Sequence, residues 1–293
     1  MFRSRYPIIC ATMNQVSDFK LGLAVYNAGC VPSFISDDID EAIKFVQATG
    51  SHDFILTTSR IPNQRELENI MAVRPRFIET YIKYEEEDPI LEILGNKEMS
   101  LYFEKVRSMG SKIIIKTNRP LKNPSLVCDL ILMKGMGAAG SNNKDLTVSE
   151  LLRLQRMLDP DIPIIASGAI TNSKMIDDLL AAGACAVSMG TIFSVTEESS
   201  ISYAVKLKMI QSSIKDIVTI TKNEKNALLL EKSIDDNKDD PLENFTQHLK
   251  KGVKGQGGLV YMGHGIEDVS EILSVNELVS RLVSNLILDR ICR

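Results

Sequence analysis

Two glycine-containing motifs follow neighbouring apolar runs in this 293-residue sequence: ASGAI at 166–170 and MGTIF at 189–193. Glycine lets backbone N–H groups approach an anion closely, and a helix N-terminus adds the positive end of its dipole. Either the glycines merely turn the chain or the motifs bind phosphate, and the occurrence of two such motifs favours phosphate. The predicted phosphate-binding residues are Ser167, Gly168, Ala169, Met189, Gly190 and Thr191.

The cysteines and histidines do not indicate a metal site. The five cysteines are scattered without CxxC spacing, and no histidine stands at metal-ligand spacing from them. We expect reduced thiols, several of them buried. His52 precedes an apolar run and is expected to be structural, whereas His248 lies in a polar helical stretch and is expected to be solvated.

Eight short β-rich runs alternate with helical patterns from the start of the chain to about residue 193. Each run is apolar along its whole length, which is typical of parallel strands covered on both faces. Predicted strands lie at 7–10, 30–34, 54–56, 77–82, 112–116, 130–133, 163–166 and 186–189. Eight such units favour an α/β fold, a closed (β/α)8 TIM barrel, with an open doubly wound sheet as the alternative. A barrel places both glycine motifs at the carboxyl ends of strands seven and eight, where this fold usually binds phosphate.

Helical patterns fill most of the connections. Predicted helices lie at 18–25, 39–48, 65–73, 89–109, 148–158 and 174–182, and the connection after the fifth strand is too short for one. The predicted domains are therefore a barrel, 1–199, and a mainly helical C-terminal segment, 200–293, packed over the barrel mouth. That segment should contain helices at 201–216 and 275–288, a solvated loop at 223–244, and a flexible glycine run at 252–258 near the bound cofactor.

Composition narrows the class of protein further. A formal charge of -4 and a pI near 5.6 argue against nucleic acid or an anionic membrane as a partner. Absent tryptophan and 5% aromatic residues weaken the case for base stacking. No apolar run approaches the ~20 residues of a membrane helix, and no signal peptide is visible, so we expect a cytoplasmic protein.

Several segments together resemble one enzyme family. The runs 161–170 and 189–193, with Glu198-Ser199 beyond, resemble the FMN-phosphate half of the nitronate monooxygenase family, also described as 2-nitropropane dioxygenase-like. This family includes FMN-dependent enoyl-acyl-carrier-protein reductases. The run 6–13 resembles its first strand, and Gly263-His264 resembles its C-terminal segment.

The resemblance implies FMN as cofactor and assigns further residues to it. The backbone of Ala11, Thr12 and Met13 should lie along the flavin ring, and the loop from Gly135 to Gly140 should wrap the cofactor. Lys116 and Lys134 end two predicted strands, where a buried cation would stabilise the anionic edge of reduced flavin. The alternative for each lysine is a solvated place on the rim. Glu79 lies within a strand and should pair with a barrel lysine or act as a base.

One departure from the family pattern concerns catalysis. The family carries Gly-x-Glu-Ala-Gly-Gly-His after strand six, and its histidine is the usual acid or base. This chain reads GMGAAGS at 135–141, so Ser141 stands at the histidine position. A serine is no general base near neutral pH without an activating partner. The candidate catalytic residues are therefore Ser141 and His264.

The resemblance implies either oxidation of a nitronate with O2 or reduction of an enoyl thioester with NAD(P)H as electron donor. The expected partners are a small-molecule or acyl-carrier-bound substrate, and a homodimer is the candidate assembly. A flavin-binding scaffold without turnover is the alternative, because it would keep the phosphate motifs and lose the histidine. The inosine-monophosphate dehydrogenase group ranks last, because it needs a cysteine after strand six, where this chain has Ser141, Asn142 and Asn143.

Overall fold

The computed structural model describes residues 2–81, 89–220, 225–229, 241–284 and 286. The strands within these residues are β1 (Ile8–Cys10), β2 (Ser33–Ile35), β3 (Ile55–Thr58), β4 (Phe77–Tyr81), β5 (Lys112–Thr117), β6 (Leu130–Lys134), β7 (Gly140–Ser141), β8 (Ile164–Ser167), β9 (Ala186–Met189), β10 (Ile217–Ile220), β11 (Lys225–Leu229) and β12 (Leu259–Tyr261). The helices are α1 (Phe19–Asn27), α2 (Ile39–Thr49), α3 (Gln64–Val73), α4 (Pro89–Gly95), α5 (Lys97–Ser108), α6 (Val148–Leu158), α7 (Ser173–Ala181), α8 (Thr191–Ser194), α9 (Tyr203–Ile210), α10 (Pro241–Lys254) and α11 (Val275–Val283).

Eight parallel strands form the predicted barrel. Their order is β1-β9-β8-β6-β5-β4-β3-β2. Val31, two residues before β2, closes the ring: Val31 N donates to Ile8 O at 2.9 Å, and Cys10 N donates to Val31 O at 3.0 Å. This closure confirms the (β/α)8 barrel and excludes the open doubly wound sheet.

The inward-facing side chains of the strands are apolar deep in the barrel and polar at its mouth. The interior cluster consists of Ile9, Val31, Ile55, Phe77, Ile114, Leu130, Leu132, Ile165 and Ala186. Side chains two positions apart on a strand share a face. The next inward residues, at the carboxyl ends of six strands, are Thr57, Glu79, Lys116, Lys134, Ser167 and Ser188. The mouth is therefore lined by hydroxyls and charges above an apolar floor.

The helical layer follows the predicted order with one correction. The single helix predicted at 89–109 is wrong, because α4 ends at Gly95 and α5 starts after Asn96, whose side chain accepts a hydrogen bond from Met99 N at 3.0 Å. Asparagine at this position ends one helix and caps the next. The connection after β5 contains a 3-10 turn at Pro124–Leu126, so the expectation of no full helix there is confirmed.

The C-terminal segment is less helical than predicted. It contains an antiparallel sheet in which β11 pairs with β10, with β12 and with β7 of the loop after β6. Residues 225–229 of the predicted loop at 223–244 form β11 and 241–244 begin α10, whereas 223–224 and 230–240 lie outside the described residues. The helix predicted at 201–216 is wrong beyond residue 210, where a 3-10 turn and β10 follow. Helix α11 ends at Val283, and residues 285, 287 and 288 of its predicted extension lie outside the described residues.

The C-terminal segment also completes the barrel's outer layer. Helix α8, which follows the last barrel strand, has four residues, and α11 packs against both α1 and α7. The Glu198 carboxylate accepts a hydrogen bond from Val275 N at 2.9 Å and so fixes the start of α11. Among the described residues, no helix is long and apolar enough to cross a membrane.

Candidate active site

A cavity of about 1460 Å³, part of it open to solvent, lies at the carboxyl ends of the barrel strands. It is lined from below by the polar mouth and from above by the C-terminal segment. The predicted site residues that line it are Ala11, Thr12, Met13, Lys116, Lys134, Gly140, Ser141, Ser167, Gly168, Ala169, Met189, Gly190 and Thr191. Gly135 and His264 are predicted site residues that do not line it.

The two glycine motifs lie side by side at one end of this cavity. Gly168 and Ala169 have φ angles of +125° and +50°, a left-handed backbone that favours glycine at the first position. A Cβ on Gly168 would lie 3.1 Å from the carbonyl oxygen of Gly135, so a side chain there would press on the neighbouring loop. Gly190 precedes α8, and Thr191 Oγ1 accepts a hydrogen bond from Gly263 N at 3.1 Å. The motifs thus form a tight backbone cradle tied to the C-terminal segment.

A buried ion pair connects two of the mouth-facing side chains. Lys116 Nζ lies 2.5 Å from Glu79 Oε1, and the Glu79 side chain is 3% exposed. Thr57 Oγ1 donates to the same carboxylate at 3.0 Å and lies 2.5 Å from Thr12 Oγ1. The expectation that Glu79 pairs with a barrel lysine is confirmed. Since Thr12 and Lys116 both line the cavity, the network joins the ion pair to residues 11–13, the strip expected along the flavin ring.

The loop after β6 is held in place by a lysine and by close backbone packing. Lys134 Nζ donates to Ala139 O at 2.6 Å, which draws the loop back over the strand end. A Cβ on Gly135 would lie 2.2 Å from Val148 N, so this glycine lets the loop touch the start of α6. Gly135 therefore positions the loop and does not face the cavity.

The structure separates the two candidate catalytic residues. Ser141 lines the cavity, and its backbone pairs with Lys225 of β11. The ring of His264 lies against Gly137, and its backbone N–H donates to Gly137 O at 2.8 Å. His264 therefore packs against the loop that carries Ser141 and does not line the cavity. Its contacts are structural.

The other two histidines differ in how well they match expectation. His52 Nδ1 lies 2.7 Å from Val73 O at the amino-terminal face of the barrel, which confirms a structural role. His248 on α10 is half-buried, and its Nδ1 is buried without a hydrogen-bond partner among the described residues, so the side chain is less solvated than predicted.

Sequence reasoning missed the wall that the C-terminal segment adds to the cavity. Ile201, Leu249, Val253 and Val260 form an apolar surface, and Tyr261 stands beside it. Leu249 and Val253 are four residues apart on α10, a spacing that predicts a shared helix face but not what that face covers. In the run 252–258, predicted near the cofactor, Val253 lines the cavity and the glycines do not; Gly252 lies in α10, and Gly255, Gly257 and Gly258 form the turn into β12.

The cysteines lie apart from this chemistry. Cys10, Cys30 and Cys128 are free and buried, as expected. Burial raises the pKa of the Cys30 and Cys128 thiols to about 12 and raises the pKa of Cys10 as well. Thiolates are therefore scarce at neutral pH, and these cysteines are unsuited to nucleophilic catalysis. No group of side chains suited to hold a metal ion occurs among the described residues.

The chain belongs to the nitronate monooxygenase family, whose sequence profile matches residues 104–285, and it is an oxidoreductase. Its fold is similar to a point mutant of FabK from Thermotoga maritima, with a TM-score of 0.77, 20% identity, and coverage of 97% of this chain and 93% of that one. It is also similar to nitroalkane oxidase from Streptomyces ansochromogenes (TM-score 0.76, 17% identity, 97% and 96% covered). A third similar structure is the enoyl reductase domain of MlnA from Bacillus amyloliquefaciens (TM-score 0.68, 11% identity, 99% and 94% covered).

Proposed function

We propose that this protein is an FMN-dependent enoyl reductase that saturates the double bond of an α,β-unsaturated acyl thioester, with NAD(P)H as electron donor. The observation that carries the choice of substrate is the apolar wall of Ile201, Leu249, Val253 and Val260 above a polar strand-end floor. An acyl chain gains from contact with such a wall, whereas a small nitronate anion does not need it.

The residues present fit FMN. The cradle of Gly168, Ala169, Gly190 and Thr191 would hold the phosphate, since its backbone can approach an anion closely. A Cβ on Gly190 would lie 3.6 Å from Ala11 Cβ and 3.8 Å from Met13 Sδ, so the cradle adjoins the strip expected along the ring. Bound FMN would take hydride from the nicotinamide and pass it to the substrate.

The protein's own groups would then bind and orient. Lys116, held by Glu79, and Lys134, held by Ala139 O, bring cationic groups to the cavity where negative charge on the cofactor would need support. The apolar wall would exclude water from the acyl chain and direct its reactive end toward the polar floor. A thioester on coenzyme A or on an acyl carrier protein would enter through the open mouth.

The first experiment is the visible spectrum of the purified protein, followed by anaerobic titration with NADH and NADPH and then with crotonyl-coenzyme A. Bleaching of flavin bands by one nucleotide, and their return on addition of the thioester, is the expected result. A colourless protein that takes up no added FMN would overturn the proposal. Flavin that reacts with a nitronate and O2 instead would assign the other branch of the family, and flavin inert to every substrate would assign a binding subunit without turnover.

A pair of variants tests the apolar wall. Leu249→Gln should raise KM for an acyl thioester about tenfold while leaving flavin reduction by the nucleotide unchanged, because a polar group in that wall disfavours the acyl chain. Leu94→Gln, at a side chain 47% exposed on α4, is the matched control and should leave both unchanged. An unchanged KM in Leu249→Gln would argue against an acyl substrate on this wall.

A further inference from the structure

The family pattern implies a histidine at position 141, and this chain has Ser141 there, so the proposed reduction needs another source of a proton. Reduction of a carbon–carbon double bond needs a hydride at one carbon and a proton at the other. Ser141 is a weak acid, and the His264 ring lies against Gly137 away from the cavity wall. Among the described residues, the titratable side chains that line the cavity are Tyr81, Lys116, Lys134 and Tyr261.

Three of these four are less suited to donate a proton to substrate. Lys116 is bound to Glu79 at 2.5 Å, and transfer of its proton would leave a buried carboxylate unpaired. Lys134 is bound to the carbonyl of Ala139 at 2.6 Å and holds the loop in place. Tyr81 ends β4, which lies across the barrel from β1 and β9. Residues 11–13, expected along the flavin ring, follow β1, and one phosphate motif follows β9.

Tyr261 lies at the cavity wall beside the loop that carries Ser141. Its ring carbons Cε1 and Cδ1 lie 3.7 and 3.8 Å from the point where a Cβ on Gly140 would stand, immediately before Ser141. β11 brings the two elements together, because Gly140 pairs with Asn226 and Tyr261 pairs with the next residue, Ala227. Lys134 Nζ lies 3.7 Å from the same point beside Gly140. The Tyr261 ring and the Lys134 ammonium group therefore both lie beside residue 140.

A phenol is neutral near pH 7, and burial raises the pKa of Tyr261 further, so its hydroxyl carries a proton throughout the neutral range.

Resting on the proposed function, we propose that Tyr261 is the catalytic acid that replaces the family's histidine. A hydride, which bound reduced FMN would supply, forms a C–H bond at the β-carbon as the double-bond electron pair moves toward the thioester carbonyl. The Tyr261 O–H bond breaks as its proton forms a C–H bond at the α-carbon. The product is the saturated thioester with oxidised FMN, and the phenolate regains a proton from solvent.

The test separates the two half-reactions of the holoenzyme. Wild type, Tyr261→Phe and Tyr81→Phe are reduced anaerobically with the preferred nicotinamide and mixed with crotonyl-coenzyme A, and the return of flavin absorbance is followed by stopped flow. Tyr261→Phe should be reoxidised about 100-fold more slowly, the scale of a lost general acid. Its FMN content and its rate of reduction by the nucleotide should match wild type, and Tyr81→Phe should match wild type throughout.

Reoxidation of Tyr261→Phe within about threefold of wild type would overturn the assignment. If Tyr261→Phe loses FMN, Tyr261→His decides, because it restores a proton donor in a smaller ring. Recovery of tenfold or more in reoxidation supports the assignment, and FMN binding without recovery overturns it. A wild-type enzyme that takes electrons from the nucleotide but is never reoxidised by a thioester would overturn the proposed function itself, with this assignment.

Discussion

Lys116 and Glu79 show what a single pair of residues contributes to this fold. Both lie on the inward face of their strands, two positions beyond the apolar interior residues Ile114 and Phe77. A buried carboxylate without a partner is strongly unfavourable, and the ammonium group with the Thr57 hydroxyl satisfies it. The pair therefore permits charge at the mouth of the barrel without breaking the core below it.

Removal of one partner should cost far more than removal of both. Glu79→Leu leaves the Lys116 ammonium close to an apolar side chain, and we expect the free energy of unfolding to fall by about 3 kcal/mol. The double variant Glu79→Leu with Lys116→Met should regain most of that loss, because an apolar pair fills similar volume. Urea denaturation of the flavin-free proteins measures both values without a contribution from binding. Equal losses in the single and double variants would show that the charge pair is not the cause.

The sequence predicted these polar residues better than it predicted their partners. Glu79 and the two lysines stand out because each interrupts or ends an apolar run. Strand orientation was open, but the spacing of two between Phe77 and Glu79, or Ile114 and Lys116, places each pair on one face. Tyr261 gave no such signal, since it lies in a short strand whose neighbours in the sheet are distant in sequence.

At the scale of elements, the loop after β6 depends on glycines that allow backbone to touch backbone. Gly263 lies against the loop: a Cβ there would stand 2.6 Å from Gly137 O and 2.8 Å from Ala139 N. His264 N donates to Gly137 O in the same contact. The C-terminal segment thus sets the position of the loop that Lys134 and β11 also hold.

Gly263→Ala should therefore displace the loop. The added methyl group meets backbone atoms that cannot rotate away, so we expect a loss of about 1–3 kcal/mol in stability and at least tenfold weaker FMN binding. Fluorescence titration with FMN and thermal unfolding measure the two effects. Gly95→Ala is the control, because nothing lies within 4 Å of its added Cβ, and it should leave both values nearly unchanged. Normal FMN affinity in Gly263→Ala would mean that the loop does not contact the cofactor.

Predictability differed between the two kinds of sheet. The eight barrel strands were recognisable because continuous apolar runs mark strands buried on both faces. The antiparallel sheet was not, because its pairing of β11 with Gly140–Ser141 depends on tertiary contacts and no sequence periodicity reports it. The helix predicted at 89–109 failed for a local reason, since Gly95-Asn96 is a stop and a cap within an otherwise helical pattern.

At the scale of the whole molecule, the barrel and the C-terminal segment share one hydrophobic core. Val205, Met209, Val253 and Met262 belong to the same cluster as the residues between the barrel strands and their helices. Helix α11 stands between α7 and α1, the position that the four-residue α8 leaves uncovered. A boundary at residue 199 therefore marks a change in composition and secondary structure but not a break in packing.

The fragment 1–199 should accordingly fail to fold on its own. Without the C-terminal segment, it would expose Phe193, Ile192 and Val195, which are 0%, 5% and 1% exposed in the full chain, together with the flanks of α1 and α7. An exposed patch of this kind promotes aggregation, and a barrel with an open gap in its outer layer loses the cooperative packing of its last strand. We expect the full chain to unfold in a single transition by circular dichroism and intrinsic fluorescence, while the fragment shows no cooperative transition and binds a hydrophobic dye. A fragment that unfolds cooperatively with most of the parent's stability would establish two independent domains and would make the apolar wall a detachable lid, separate from the barrel's own core.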